Sequence, residues 1–299
     1  MIVAALAAMA TMSCNNAENN AENNAEGADS TATETTADAD ANANVNKFPW
    51  DFPQNVKLNA EPDQLVLAPY TYYPSYVEEG KDLEKTSLIF YYTKMTSVGE
   101  STSKLNGGKV EIPNALIIPL DKNGTAKKGD ILLTWWQQGS GMKRAIVVDD
   151  SNPAEPLVDY LDLEYGTDEK PGLGQKDANK PLKPSSFNVI TDGQWQPGAQ
   201  IAYYNGKEWE AGTLLHEQDG KVIAQMFAAT VKAFPKDKCK LIPFKEDIKE
   251  GDKVFAVFTS SYRDGHTVLK VDNTIGRVWV KDEYGTEKVK SIAEVTKSL

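Results

Sequence analysis

From residue 47 to its end, the chain alternates short apolar runs with clusters of turn-forming residues. Typical runs, such as 87–93 and 222–227, are five to eight residues long. Apolar positions do not follow a helical spacing over any long stretch. Short strands separated by turns are typical of an all-β protein, and this is the fold class that the sequence predicts.

Residues 1–14 combine an apolar run with a cysteine. The run from Ile2 to Met12 has the length of a signal-peptide core, and a bilayer span would need about 20 residues. Ser13 and Cys14 follow it, and then the chain becomes polar. This arrangement resembles a bacterial lipoprotein signal, in which a small residue precedes the cysteine that becomes lipidated. The resemblance implies export and anchoring to a membrane of the cell envelope (outer membrane or periplasm) through Cys14. The alternative is a short buried helix with an incidental cysteine.

Residues 15–46 are dominated by Asn, Ala, Glu, Asp and Thr, and Asn-Asn-Ala-Glu occurs three times, at 15–18, 19–22 and 23–26. The segment contains no aromatic residue, and Val45 is its single branched aliphatic one. Such a composition buries too little apolar area to offset the entropy of ordering. The sequence therefore predicts a disordered acidic tether that holds a folded body away from the membrane.

The tether also carries most of the net charge of −11. Seven of the 43 acidic residues precede residue 47, where there is no Lys or Arg, so 36 acidic and 32 basic residues remain. A nearly neutral body lacks the basic surface of DNA- and RNA-binding proteins, so nucleic acid is excluded as a partner. The two Cys and two His of the chain are too few for a zinc site or a disulfide framework, and no cofactor is expected.

Internal repetition is the strongest pattern in the body. Two segments share a glycine before an apolar strand, an aromatic residue eleven positions later and a second glycine three positions after that. The matching residues are Gly198 and Gly251, Trp209 and Tyr262, and Gly212 and Gly265. A turn pair follows in each segment, Asp219–Gly220 and Asp272–Asn273, and both suit a tight hairpin because Gly and Asn tolerate positive φ.

Two earlier segments carry related patterns. In the segment 125–192, a polar insert at about 164–184 precedes the closing strand. In the segment 47–124, the step from an aromatic residue to glycine is not evident. We therefore predict three or four units. The predicted organisation is a signal (1–14), a tether (15–46), an N-terminal β unit (47–124), a unit with an insert (125–192) and two regular units (193–246 and 247–299).

The repeated pattern resembles Tudor-like and SH3-like barrels, in which Gly-Asp begins the first strand, an aromatic followed by a small residue begins the second, and an Asp-Gly turn leads to the third. The resemblance implies tandem small β-barrels. Units of about 50 residues bury little core alone, so they are expected to pack against each other.

Aromatic side chains are the one feature that suggests a binding site. In Tudor-like barrels they cage methylated Lys or Arg, and in SH3-like barrels they form grooves for extended peptides. An exported protein rarely meets methylated histones, so that ligand is not carried over. The alternative is that the rings fill the cores and junctions of the barrels. The candidates by position are Tyr204, Trp209 and Phe227 in one unit, Phe258, Tyr262 and Trp279 in the next, and Trp135 and Trp136 in the unit before them.

No nucleophile, phosphate-loop or metalloprotease motif occurs in the chain. His216 and His266 are expected at exposed strand or turn positions. Asp159 and Asp162 are expected on the solvent face of a strand, and Cys239 is expected to be a structural thiol. No pair of acidic residues is singled out as a catalytic pair by its spacing.

Three functions follow from these patterns. The first is a non-catalytic, membrane-anchored binding or scaffold module for a peptide, a protein or a cell-envelope polymer. The second is an envelope carbohydrate hydrolase with carboxylates on loops. The third is a structural spacer that binds nothing specific. Exposed aromatic residues would favour the first, two free carboxylates in a deep cleft the second, and fully buried aromatic residues the third.

Overall fold

The computed structural model describes residues 47–299, and within this range the chain forms short β-strands, two short α-helices and several 3₁₀ turns. The strands assemble into antiparallel sheets, so the all-β prediction is confirmed. The predicted signal with Cys14 and the predicted tether lie outside the described residues. No helix within 47–299 is both long enough and apolar enough to cross a membrane.

Strands of the first half form two groups of five. The first group comprises β1 (Leu65–Ala68), β2 (Tyr91–Ser97), β3 (Thr102–Leu105), β4 (Val110–Pro113) and β5 (Ile118–Pro119), with α1 (Tyr73–Glu78) and a 3₁₀ turn at Asn114–Leu116. The second comprises β6 (Ile131–Trp135), β7 (Met142–Asp149), β8 (Leu157–Tyr160), β9 (Lys180–Pro181) and β10 (Asn188–Ile190), with α2 (Leu173–Lys176) between β8 and β9.

The second half repeats the arrangement. The third group comprises β11 (Gln200–Tyr204), β12 (Trp209–Gln218), β13 (Lys221–Gln225), β14 (Val231–Pro235) and β15 (Cys239–Ile242), with 3₁₀ turns at Phe227–Ala229 and Lys236–Lys238. The fourth comprises β16 (Lys253–Phe258), β17 (Ser261–Asp272), β18 (Arg277–Lys281), β19 (Glu287–Ser291) and β20 (Val295–Thr296), with a 3₁₀ turn at Ile292–Glu294.

All four groups share one strand order. The first four strands pair in sequence, and the fifth returns to pair with the first: β5 with β1, β10 with β6, β15 with β11 and β20 with β16. No ladder joins the fourth strand of a group to its fifth, so the sheets of residues 47–299 do not close into barrels. The third and fourth groups share one sheet through the pairing of Glu210 with Ser261.

The two predicted hairpin turns differ. Asp219 and Gly220 both have positive φ, 53° and 73°, and join β12 to β13 as expected. The prediction for Asp272–Asn273 is wrong, because the turn there is wider and its positive φ falls on Gly276. The Asp272 carboxylate accepts hydrogen bonds from the backbone N and the hydroxyl of Thr274, which holds this wider turn.

The groups pack against each other through continuous apolar contacts. Ala202 and Ile242 of the third group share a buried cluster with Val257 and Tyr262 of the fourth. The segment before β1 is also anchored, since the buried Trp50 indole donates to the Val231 carbonyl oxygen at 2.7 Å. Each small sheet therefore obtains part of its core from its neighbours.

Candidate functional site

A buried polar chain crosses the second, third and fourth groups. The Arg144 guanidinium of β7 pairs with Asp162, with Nη2 and Oδ1 2.6 Å apart, and its Nη1 donates to Gln200 of β11 at 2.6 Å. The Gln200 amide donates to the Tyr262 hydroxyl at 3.0 Å, and that hydroxyl donates to the Ala293 carbonyl oxygen at 3.2 Å. These bonds connect the second, third and fourth groups at one point.

Asp162 remains an ionised acceptor in this chain. Burial by itself would raise the pKa of its carboxyl, but the Arg144 charge and hydrogen bonds outweigh burial and hold that pKa below its usual value. Conversely, burial alone would lower the pKa of Arg144, whereas Asp162 raises it. Both groups are therefore charged at neutral pH, and neither is a source of protons for catalysis.

A second buried arginine, Arg277 of β18, extends to the end of β8. Its Nη1 donates to the Leu161 carbonyl oxygen at 3.0 Å, its Nη2 reaches the Leu163 carbonyl oxygen at 3.4 Å, and its Cζ lies 4.8 Å from the centre of the Tyr165 ring. Within the described residues no carboxylate lies within salt-bridge distance of it, and its Nε has no hydrogen-bond partner. Burial lowers the pKa of Arg277. Backbone carbonyl groups and an aromatic face therefore compensate this charge.

These two arginines lie at the floor of a cleft of about 620 Å³, which we call the junction cleft because three groups line it. The second group contributes Arg144 and Asp162, the third Gly212 and Phe227, and the fourth Thr259 and Lys290. A concave site between structural units, with apolar walls and a few convergent polar groups, is the usual place for a ligand.

One exposed phenylalanine lines this cleft: Phe227, which is 56% exposed. Phe258 is 52% exposed but is not among the lining residues; it ends β16, and the Lys288 ammonium lies 4.4 Å from its ring. Phe227 begins a 3₁₀ turn that contains two left-handed residues other than glycine, Ala228 and Ala229, with φ of 56° and 57°. Each such residue costs about 1 kcal/mol or more, and strain of this kind is concentrated at functional sites.

The structure distributes the predicted aromatic residues over several environments. Tyr204 and Trp209 are in contact, with ring centres 5.1 Å apart and the Lys240 ammonium 5.1 Å from the Trp209 ring. Phe227 lines the junction cleft instead, and no ring contact joins it to that pair within the described residues. The Trp136 indole donates to Asp177 at 2.7 Å.

Two of the predicted ligand-binding residues are buried, which corrects their assignment. Tyr262 is 4% exposed and belongs to the polar chain, and Trp135 is 3% exposed with its ring stacked 4.3 Å from that of Tyr92. The fourth group therefore presents Phe258 and Trp279 without Tyr262. Trp279 lies edge-on to Tyr165 at 6.2 Å, with the Lys270 ammonium 4.4 Å from its ring.

Expectations for four other residues need correction as well. Asp162 is 22% exposed and pairs with the buried Arg144, and Asp159 is buried and accepts from the Asn179 backbone N at 2.7 Å, so neither is a free carboxylate on a solvent face. His266 is buried, and the Nε2 of the half-buried His216 lies 2.8 Å from the Ile117 carbonyl oxygen, between the third and first groups. Tertiary packing, which strand periodicity does not reveal, covers all four at least in part.

Cys239 is buried, and burial raises the pKa of its thiol to about 11. A thiol with that pKa is neutral and unreactive at neutral pH, which fits a packing role. Within residues 47–299 no group of three or more His, Cys, Asp or Glu side chains is arranged to hold a metal ion.

Arg144, Gln200 and Arg277 were not identified from the sequence as site residues. A signal was present, since arginine occurs at three positions in the chain, 144, 263 and 277, among 32 basic residues. Two of the three, Arg144 and Arg277, lie inside apolar strand patterns. A planar guanidinium can bind several acceptors at such a buried position, and a lysine ammonium cannot replace it.

No protein-family model matches the chain, and no curated protein matches it significantly.

Proposed function

We propose that this protein is a non-catalytic binding protein of the cell envelope, anchored by a lipidated Cys14, that binds an extended segment of a partner protein in the junction cleft. The observation that carries the proposal is the exposed Phe227, which lines the cleft from a strained 3₁₀ turn. Exposed aromatic anchors beside a pocket are typical of protein interaction sites.

Each five-stranded group is, in this proposal, a unit of the Tudor-like or SH3-like class. The return of the fifth strand to the first supports this assignment, as does a 3₁₀ turn before the fifth strand in the first, third and fourth groups. A crystal structure in which the fourth and fifth strands of these groups diverge would contradict the assignment.

Two of the acidic side chains at the cleft favour binding over hydrolysis. A glycosidase needs one carboxyl group with a raised pKa as its general acid. The pKa of Asp162 is lowered, and the Glu294 carboxylate accepts bonds from the Ser291 backbone N at 2.9 Å and from Lys290 at 3.4 Å. A spacer without ligands, in turn, would gain nothing from an exposed phenylalanine on a strained turn.

The binding proposal is tested by selecting peptides from a displayed library on the full-length protein and measuring their affinities by calorimetry. We expect Phe227→Ala to weaken binding about tenfold or more, as the loss of a buried aromatic anchor does. Tyr284→Ala is the matched control, because Tyr284 is 85% exposed and is not among the residues that line the cleft. If no peptide binds, or if Phe227→Ala binds as wild type does, the proposal is wrong.

The membrane anchor is tested separately. We expect wild-type protein from a bacterial host to enter the detergent phase, with a mass showing a lipidated Cys14 at its N-terminus, and the Cys14→Ser variant to lose both properties. Soluble protein that keeps residues 1–13 would contradict the lipoprotein assignment and direct the partner search to the cell interior.

A further inference from the structure

A separate groove of about 570 Å³ crosses the first group, far in sequence from the residues of the junction cleft. Its lining includes three tyrosines, Tyr70, Tyr91 and Tyr92, and three polar residues, Asp63, Lys94 and Asn106. We call it the tyrosine groove. None of its lining residues was a candidate from the sequence, and no function described above uses it.

The tyrosine rings are held in place. Tyr92 is 44% exposed while its ring stacks on the buried Trp135 at 4.3 Å, and Tyr91 stacks on Tyr72 at 5.8 Å with the two hydroxyl oxygens 3.4 Å apart. Tyr91 and Tyr92 are consecutive residues of β2, so their side chains point to opposite faces of the strand. The Tyr92 ring, which is packed on one side and exposed on the other, is therefore the rigid aromatic platform of the groove. A rigid platform loses little entropy when a ligand stacks on it.

The polar residues of the groove are held by their backbones while their side chains are free. Asp63 and Asn106 have left-handed φ of 65° and 53°, and their backbone N atoms donate to Met95 at 2.8 Å and Lys94 at 3.0 Å. Within residues 47–299 the side chains of Asp63, Lys94 and Asn106 form no hydrogen bond or ion pair. The groove thus presents one carboxylate, one ammonium and one amide without protein partners.

We propose that the tyrosine groove binds a neutral saccharide. A sugar ring has C–H faces that pack on aromatic rings and hydroxyl edges that both donate and accept hydrogen bonds. Planar carboxylate and amide groups beside an aromatic platform satisfy adjacent hydroxyls, as Asp63 and Asn106 are placed to do. One positive and one negative side chain cancel, so the groove offers no net attraction to a polyanion or polycation.

The aliphatic content of the groove argues against an apolar peptide as occupant. Leu65 and Met95 are the aliphatic residues among its lining, and Met95 is fully buried. The groove therefore fits a ligand that stacks on an aromatic ring and forms hydrogen bonds through hydroxyl groups, rather than one that buries aliphatic side chains. This site is independent of the proposed peptide binding at the junction cleft.

Affinity electrophoresis of the full-length protein in gels containing neutral polysaccharides tests the proposal. The panel is hydroxyethylcellulose, glucomannan, xyloglucan, glycol chitin and dextran, with alginate as the acidic comparison. We expect retardation by at least one neutral polymer, and an apparent affinity at least tenfold lower in Tyr92→Ala. Asp63→Gly is the second variant, since the Asp63 side chain forms no hydrogen bond or ion pair and glycine tolerates its φ of 65°, and it is expected to reduce affinity as well.

The controls separate this site from the junction cleft. Tyr284→Ala and Phe227→Ala are expected to migrate as wild type does in every gel. Migration unaffected by every neutral polymer, retardation unchanged in Tyr92→Ala and Asp63→Gly, or stronger retardation by alginate would each overturn the proposal. Binding of a proline-rich peptide that depends on Tyr92, in the absence of saccharide binding, would reassign the groove to peptides and also overturn it.

Discussion

Arg277 of β18 donates from its Nη1 to the carbonyl oxygen of Leu161 at 3.0 Å, across 116 residues of sequence. This bond joins the last group of strands to the end of β8 in the second. Because Arg144 and Gln200 connect the same groups by a separate route, the second, third and fourth groups are expected to unfold as one cooperative body.

Arg277→Lys is expected to destabilise the protein by about 3 kcal/mol. A lysine ammonium cannot reach the several carbonyl groups that the Arg277 guanidinium binds, so its charge would be buried without enough hydrogen-bond partners. Urea unfolding followed by circular dichroism measures this. Arg263→Lys is the matched control, since the exposed Arg263 pairs with Glu208 at 2.9 Å on the surface, and its change should stay within about 0.5 kcal/mol. Equal effects of the two substitutions would refute the structural role of Arg277.

Asp162→Asn is expected to cost about 3–5 kcal/mol, because it leaves the buried Arg144 charge without its partner. Asp82→Asn removes an exposed carboxylate that pairs with Lys85 at 2.7 Å and should leave the urea midpoint close to that of wild type. The lowered pKa of Asp162 also sets a pH dependence: its contribution is complete above the unfolded pKa of about 3.9 and is lost as the pH falls through the folded pKa. The free energy of unfolding of wild type should therefore fall more steeply below about pH 3.9 than that of Asp162→Asn.

Acid should weaken the contact between the first and third groups through His216. Burial lowers the pKa of His216 to about 4. An unfolded histidine has a pKa of about 6.5, so the unfolded chain binds this proton first, and stability falls between about pH 6.5 and pH 4. We expect His216 to contribute a loss of up to about 2 kcal/mol between pH 7 and pH 5. The urea midpoints of unfolding at pH 7 and pH 5 measure this loss. If the midpoint of His216→Gln changes between the two pH values as much as that of wild type, another group is responsible.

Two glycines at matching repeat positions should respond differently to alanine. A Cβ at Gly212 would lie 2.5 Å from the Met226 Sδ, whereas Gly265 has φ of 80° and open space around it. We expect Gly212→Ala to cost about 1–2 kcal/mol through crowding, and Gly265→Ala about 1 kcal/mol through its backbone conformation. In double-mutant cycles with Met226→Ala, Gly212 should show a coupling of at least about 0.5 kcal/mol and Gly265 none. Coupling of Gly265 to Met226 would contradict this explanation.

Much of the fold follows from local sequence. The alternation of apolar runs and turn residues predicts short strands, and the Asp219–Gly220 turn forms as expected because its two residues tolerate positive φ wherever they occur. The equal spacing of Trp209 and Tyr262 within their segments places both at the start of the second strand of a group. These features depend on residues near each other in the chain, so the sequence alone determines them.

Tertiary structure alone decided the candidate sites. Tyr262 and Phe258 are aromatic residues of neighbouring strands, yet one is buried under the polar chain and the other is exposed. Asp162 has the local pattern of a surface residue, and the structure makes it the half-buried partner of the buried Arg144. Burial and pairing depend on what neighbouring groups place against a residue, and those partners lie tens of positions away in the sequence. Local periodicity carries no information about them, which is why the strands were predictable and the junction cleft and the tyrosine groove were not.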